Sequence, residues 1–165
     1  MNVTELSGKR VLVVDDDITF GKSLVDVLRE AGALAFGPAL TAFHAECLLG
    51  RRRVDLALLD TRLYGQSSDE FAMQLRARAI PVMFIGEPEA PRPQGVLAQL
   101  PFLAKPVDPA TVLTEVEAYL VRSGANPALR LVRAEAAPRG EHQQSPLHRL
   151  ARCVAVSLER SAALQ

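Results

Sequence analysis

Acidic side chains and one lysine stand at the ends of short apolar segments in this sequence. Asp15 and Asp16 directly follow one segment, Asp60 ends another, and Lys105 follows the last. A glycine, Gly86, follows the segment between Asp60 and Lys105. Carboxylate oxygens are the ligands that Mg²⁺ prefers, and a lysine ammonium is a compact positive charge. Brought together, these side chains would bind a hard cation and an anion at one site.

The apolar segments predict how these residues come together. The segments are short and alternate with helical patterns, which is typical of parallel strands buried on both faces. In such sheets, ligands bind at the carboxyl ends of the strands. The predicted fold is therefore α/β, a doubly wound, five-stranded parallel sheet with about five helices on its two faces. The predicted strands cover residues 11–14, 33–36, 56–59, 82–85 and 102–104, the second of them being the weakest.

Residues that favour helix termini follow several of the predicted strands. Asp17 is expected to cap the first helix and Thr41 the second, because both side chains accept hydrogen bonds from backbone N–H groups. Ser67 and Glu70 have the spacing of a capping box before the third helix. Asp108, followed by a proline in the first turn, is expected to cap the last helix of the domain.

The segment between Gly86 and Phe102 lacks a helical pattern, although the alternation of strands and helices predicts a helix there. Four prolines occur in it. Each proline inside a helix removes a backbone donor and clashes with the preceding turn, at a cost of about 3 kcal/mol. The sequence therefore predicts at most a short helix near 94–99.

Three motifs together resemble the receiver domain of bacterial two-component response regulators. They are Val-Val-Asp-Asp-Asp at 13–17, Leu-Leu-Asp at 58–60 and Phe-Leu-Ala-Lys-Pro at 102–106. The resemblance covers about residues 8–122. It implies a flavodoxin-like fold in which residues 1–122 form a receiver, or phosphoacceptor, domain. The order of the motifs, each after a predicted strand, makes the resemblance specific.

The resemblance implies a role for each residue of the predicted site. Asp60 would be the phosphoacceptor, Lys105 would neutralise charge on the phosphoryl group, and Pro106 would follow a cis peptide bond. The implied cofactor is Mg²⁺. Its ligands would be Asp15, Asp16, Asp60 and the backbone carbonyl of Arg62.

The sequence departs from the receiver pattern at the positions that link phosphorylation to the outer surface. Receivers usually carry Thr or Ser where this chain has Gly86, and a small residue where it has Glu87. Phe102 stands at the position of the switch aromatic, and Tyr64 replaces a common proline. Phosphorylation chemistry is therefore expected, with an atypical readout.

Residues 123–165 are predicted to form a linker and an amphipathic helical tail. Residues 1–121 hold 12 basic and 16 acidic residues, whereas residues 122–165 hold seven and three. The arginines of the tail lack interleaved aromatics, so no nucleic-acid partner is predicted. An apolar stripe is expected to pack on the domain, on a second copy or on a partner. The stripe consists of Leu147, Leu150, Val154 and Leu158.

These observations favour one function and leave two alternatives. The leading hypothesis is a stand-alone response regulator, phosphorylated on Asp60 by a histidine kinase or phosphotransfer protein, that signals through protein contacts and does not turn over a separate substrate. Homodimers through the tail or the last helix fit this hypothesis. The first alternative is a phosphate-independent pseudo-receiver scaffold, favoured by Gly86 and Glu87. The second is a small Mg²⁺ phosphatase that uses the spacing of Asp15 and Asp17.

The sequence also predicts where the protein works. No apolar run approaches the roughly 18 residues that a membrane span needs. The first eight residues lack the apolar centre of a signal peptide. A cytoplasmic location without a membrane partner is therefore expected.

Overall fold

The apolar segments of the sequence form one parallel sheet in the computed structural model, which describes residues 6–124. Five strands lie in the order β2-β1-β3-β6-β7, and each neighbouring pair is parallel. The prediction of a doubly wound, five-stranded sheet is confirmed. The strands of this sheet are β1 (Arg10–Val14), β2 (Leu34–Ala39), β3 (Leu56–Asp60), β6 (Val82–Gly86) and β7 (Phe102–Ala104), and β4 (Arg62–Leu63) and β5 (Gln66–Ser67) form a separate antiparallel pair.

Four α-helices cover the two faces of the sheet within residues 6–124. They are α1 (Ile18–Glu30), α2 (Ala42–Leu49), α3 (Asp69–Ala77) and α4 (Pro109–Gly124). Alternate residues of a strand point to opposite faces, so β1 contributes Leu12 and Val14 to the core beneath α2 and α3. Val11 and Val13 belong to the other core, beneath α1 and α4. Both faces of β1 are therefore buried, as the continuous apolar run predicts.

Side-chain caps fix the starts of three helices. The Asp17 carboxylate accepts hydrogen bonds from the N–H groups of Thr19 and Phe20 at 2.9 and 3.0 Å. Thr41 Oγ1 accepts one from His44 N–H at 3.0 Å. The Asp108 carboxylate accepts one from the N–H of Thr111 at 3.0 Å. The predicted caps of these three helices are confirmed.

The capping box predicted for α3 is wrong. The N-cap of this helix is Ser68, and its side chain makes no capping hydrogen bond. Its hydroxyl donates instead to the backbone carbonyl of Asp60, and its N–H donates to the carbonyl of Thr61 at 3.0 Å. A competing acceptor at the end of β3 therefore draws the hydroxyl away from the helix. These contacts hold the start of α3 against the predicted phosphoacceptor.

The proline-rich segment contains one turn of 3₁₀-helix, Gly95–Gln99, and no α-helix. This confirms the prediction of at most a short helix there. Leu97 anchors the turn in the core beneath α2 and α3. A 3₁₀ turn is a common form for such a short connector.

Some predictions concern residues beyond the described range. The tail interface at Leu147, Leu150, Val154 and Leu158 lies outside residues 6–124. The predicted domain end at residue 122 falls inside α4, which continues to Gly124. No helix between residues 6 and 124 has the length and apolar character that a membrane span requires.

Candidate functional site

Strand register places the predicted site residues at one edge of the sheet. Val14 pairs with Leu59, and Asp60 pairs with Ile85. The last pair between β6 and β7 joins Gly86 to Ala104. The residues at or just beyond these strand ends therefore lie side by side, at the carboxyl edge where ligands bind in parallel sheets. Asp15, Asp16, Asp60, Gly86 and Lys105 all occupy this edge.

The centre of the site is a lysine between two carboxylates. Lys105 Nζ lies 2.6 Å from Asp60 Oδ2 and 3.0 Å from Asp15 Oδ2. Asp15 and Asp60 are 2% and 8% exposed. Screening by water is weak in such a place, so these charge-assisted hydrogen bonds are strong. The edge of the sheet therefore holds a half-buried ammonium beside the predicted phosphoacceptor.

Burial and charge act in opposite directions on these groups. Burial raises the pKa of Asp15 above its usual 3.8, and this outweighs the hydrogen bonds from Asp17 N–H and Lys105. Burial also disfavours the charged form of Lys105, but its hydrogen bonds to Asp60 and Asp15 outweigh that effect and raise its pKa above 10.5. Lys105 therefore remains an ammonium at neutral pH.

Backbone N–H groups orient each of the three carboxylates. Asp15 Oδ1 accepts from Asp17 N–H at 2.8 Å, and Asp60 Oδ1 accepts from Arg62 N–H at 2.8 Å. Asp16 Oδ2 accepts from Tyr64 N–H at 2.7 Å. Because all three donors are main-chain groups, the positions of the carboxylates follow from the backbone of the surrounding loops.

A two-stranded hairpin directly after Asp60, formed by β4 and β5, builds one wall of the site. Arg62 pairs with Ser67 in it. Its turn residues, Tyr64 and Gly65, both have positive φ, 49° and 77°. Two-residue hairpin turns of this kind match the twist of the strands and favour glycine. The hairpin carries the N–H of Tyr64 to Asp16 and places Arg62 next to Asp60.

The three carboxylates also fit a divalent cation. Asp15, Asp16 and Asp60 each offer an oxygen, and these atoms lie within 4.8 Å of one another. A set of oxygen ligands with one half-exposed member suits Mg²⁺, which keeps several of its waters. The donor set is therefore chemically suitable for the predicted metal.

Solved structures match the fold of this chain, although no protein-family model and no curated protein matches the sequence. A receiver protein from Burkholderia phymatum is 27% identical, with a TM-score of 0.59 over 68% of this chain and 95% of that one. The non-phosphorylated HemR receiver domain from Leptospira biflexa is 26% identical, with a TM-score of 0.59 over 68% and 94%. A CheY-like receiver domain from Methanospirillum hungatei JF-1 is 24% identical, with a TM-score of 0.61 over 70% and 96%. Residues 6–124 have the fold of a response regulator receiver domain.

The sequence departs from the receiver pattern at three positions that the structure describes at or near β6 and β7: Gly86, Glu87 and Phe102. Gly86 is buried, whereas the Glu87 side chain is exposed to solvent. Phe102 is half-buried, and the guanidinium of Arg92 stacks on its ring at 3.5 Å from the centroid. The Lys105–Pro106 peptide bond is cis. The charge of Glu87 therefore lies in solvent, while an arginine from the proline-rich segment covers the predicted switch aromatic.

Sequence reasoning missed two contributors to the site. Thr61, directly after the predicted phosphoacceptor, is 4% exposed, and its hydroxyl has no hydrogen-bond partner within residues 6–124. The ring of Phe20 lies 5.0 Å from Lys105 Nζ. An apolar run that ends in an acid draws attention to the acid, and nothing in the spacing distinguishes the threonine after it. The one signal in the sequence that could have pointed to Thr61 was Gly86, because a glycine leaves room for a side chain from a neighbouring segment.

Proposed function

We propose that this receiver domain accepts a phosphoryl group on Asp60. The observation that carries the proposal is the Asp60 carboxylate held 2.6 Å from the Lys105 ammonium, in a cluster with Asp15 and Asp16. A carboxylate oxygen of Asp60 attacks phosphorus, an O–P bond forms, and the bond from phosphorus to the donor breaks. When the donor is a phosphohistidine, the leaving imidazole takes up a proton. Phosphoryl transfer needs mainly positioning and charge neutralisation, which this edge supplies.

Each remaining charged group has a defined part in the proposal. Asp15, Asp16, Asp60 and the backbone carbonyl of Arg62 would hold Mg²⁺, which when bound neutralises charge on the phosphoryl oxygens. Lys105 supplies a second positive charge at Asp60 Oδ2, whereas the Arg62 N–H donates to Oδ1. Its move from Asp60 Oδ2 to a phosphoryl oxygen requires no change in its protonation.

The proposed partners follow from this chemistry. We expect a histidine kinase or phosphotransfer protein as donor, and a signal passed on by protein contacts in the cytoplasm. Homodimer formation through the tail or α4 belongs to the same proposal. We expect no turnover of a separate substrate, since Asp17, the second acid of the phosphatase hypothesis, is committed to two backbone N–H groups of α1.

Intact-mass spectrometry of the full chain tests the proposal. The protein is incubated with Mg²⁺ and phosphoramidate, and wild type is compared with Asp60→Asn. We expect a gain of one HPO₃ in wild type only, removed by hydroxylamine as an acyl phosphate is. Asp26→Asn, an equivalent change on the exposed face of α1, is the control and should label like wild type. An adduct that persists in Asp60→Asn would contradict the proposal.

A phosphate-independent scaffold is the second candidate function. The observation that favours it is Gly86, which supplies no hydroxyl at the switch position, together with a 3₁₀ turn in place of an α-helix after β6. Under this alternative, Asp60→Asn retains full partner binding and signalling in cells. Under the phosphoacceptor proposal, the same substitution abolishes signalling. The comparison separates the two functions.

A further inference from the structure

Thr61 holds a buried hydroxyl that the folded domain does not use. The residue is 4% exposed, and Oγ1 is the buried side-chain polar atom without a partner among residues 6–124. Its main chain is fully engaged, since the N–H donates to Ile85 at 2.9 Å and the carbonyl accepts from Ser68 at 3.0 Å. Buried polar groups nearly always have a partner, and an exception calls for a ligand or another explanation.

The side chain of Thr61 fills the volume beside Gly86. A Cβ atom built on Gly86 would overlap Thr61 Oγ1 and would lie 3.0 Å from its Cγ2 and 3.1 Å from its Cβ. Gly86 ends β6, next to the end of β3. The hydroxyl of Thr61 therefore occupies the place that a side chain at position 86 would take.

The chain direction after β3 keeps Thr61 at the same edge as Asp60. Asp60 is the last residue of β3, and Thr61 directly follows it. Its Oδ1 accepts a hydrogen bond from the N–H two residues ahead, on Arg62, which is the pattern of an Asx turn. Thr61 is the central residue of that turn, and its N–H donates to the carbonyl of Ile85, so Thr61 stays beside the end of β6.

We propose that the Thr61 hydroxyl donates a hydrogen bond to a phosphoryl oxygen on Asp60, in place of the hydroxyl that Gly86 lacks. The inference rests on the phosphoacceptor function proposed above. The unpartnered donor gains an anionic acceptor, and such charge-assisted hydrogen bonds are the strong ones. Thr61 can then occupy this position only because residue 86 is a glycine, since a side chain at 86 would overlap Thr61 Oγ1.

The rate of adduct formation tests the inference, with Mg²⁺ and phosphoramidate and the full chain. Thr61→Val keeps the shape and removes the hydroxyl, so labelling should slow by about tenfold, the usual loss for one hydrogen bond to a charged group. Thr61→Ser keeps the hydroxyl and should stay within about twofold of wild type. Thermal unfolding of each unlabelled variant checks that it folds. A labelling rate of Thr61→Val equal to that of wild type would overturn the inference.

A variant that carries the hydroxyl at position 86 instead of 61 tests whether Thr61 acts as a hydrogen-bond donor or only fills space. Gly86→Ser alone overlaps Thr61 and should lower thermal stability. Thr61→Ala/Gly86→Ser removes Oγ1 and Cγ2, the two closest atoms, and places a hydroxyl at 86, so labelling should recover relative to Thr61→Ala. Failure to recover in a folded double variant would count against a hydroxyl requirement. Absence of any adduct in wild type would instead overturn the phosphoacceptor function, and this inference with it.

Discussion

Burial and charge act in opposite directions on Asp15. Lys105 lies 3.0 Å away and favours the carboxylate, yet the burial of Asp15 prevails and raises its pKa. The folded domain therefore holds the Asp15 proton more tightly than the unfolded chain does. A metal and a proton compete for the Asp15 carboxylate, which couples metal binding to pH.

The raised pKa of Asp15 predicts a pH-dependent stability difference between wild type and Asp15→Asn. The contribution of a group with a raised pKa is fully present below its unfolded value of 3.8 and is lost as pH rises through the folded value. Without metal, the free energy of unfolding of wild type should therefore fall relative to Asp15→Asn as pH increases. Urea denaturation of both proteins, from below pH 3.8 to neutral pH, measures the two free energies of unfolding. A free energy of unfolding of wild type that rises relative to Asp15→Asn with increasing pH would contradict the raised pKa.

At the scale of elements, the short hairpin of β4 and β5 connects the acids of two strands. Its turn brings Tyr64 N–H to Asp16, while its first residue, Arg62, donates to Asp60. The turn depends on Gly65 at φ 77°, where a side chain introduces strain even though the space around it is open. A local change in this turn should therefore reach Asp16 and Asp60 through main-chain hydrogen bonds.

Gly65→Ala is expected to weaken Mg²⁺ binding, with Gly95→Ala as its matched control. Both glycines have positive φ, 77° and 59°, and open surroundings, so each substitution should cost about 1 kcal/mol of stability. Gly95 begins the 3₁₀ turn, which holds none of the three carboxylates. Titration with Mg²⁺ should show weaker affinity for Gly65→Ala alone. Equal affinities for the two variants would show that the hairpin does not position Asp16.

The elements also show what the sequence could predict. Strands that are apolar on both faces and caps such as Asp17 are local signals, and the structure has both. The resulting topology places Asp15, Asp60 and Lys105 together. Thr61 and the Ser68 contact escaped prediction because they depend on which atoms meet across the edge of the sheet. Such meetings are set by tertiary packing and leave no periodic trace in the sequence.

At the scale of the whole molecule, the sheet separates two cores and carries its charges at one end. Leu59 belongs to the core beneath α2 and α3, and Leu58 to the core beneath α1 and α4. Leu58 and Leu59 are the two residues that directly precede Asp60. A ligand held by the acids at this edge therefore binds only the folded domain, and its binding energy adds to the stability of the whole.

Mg²⁺ should stabilise the wild-type domain, and Asp16→Asn should remove most of that effect. A free concentration of 100 times the Kd adds about 2.7 kcal/mol to the free energy of unfolding. Asp16 is outside the Lys105 ion pairs, and asparagine can still accept from Tyr64 N–H, so the variant changes mainly the ligand charge. Denaturation with and without Mg²⁺ measures the gain, and Asp26→Asn is the control. An unchanged gain in Asp16→Asn would exclude it as a ligand.

The shared volume at positions 61 and 86 also constrains how these two positions can change in evolution. A hydroxyl-bearing residue added at 86 while Thr61 is present creates an overlap, whereas shrinking Thr61 first leaves the edge without either hydroxyl. Each single step between the two arrangements is therefore unfavourable, and the two positions are expected to change together. Among related chains, a side chain at 86 should accompany a small residue at 61, so that covariation at this pair records which of the two positions supplies the hydroxyl.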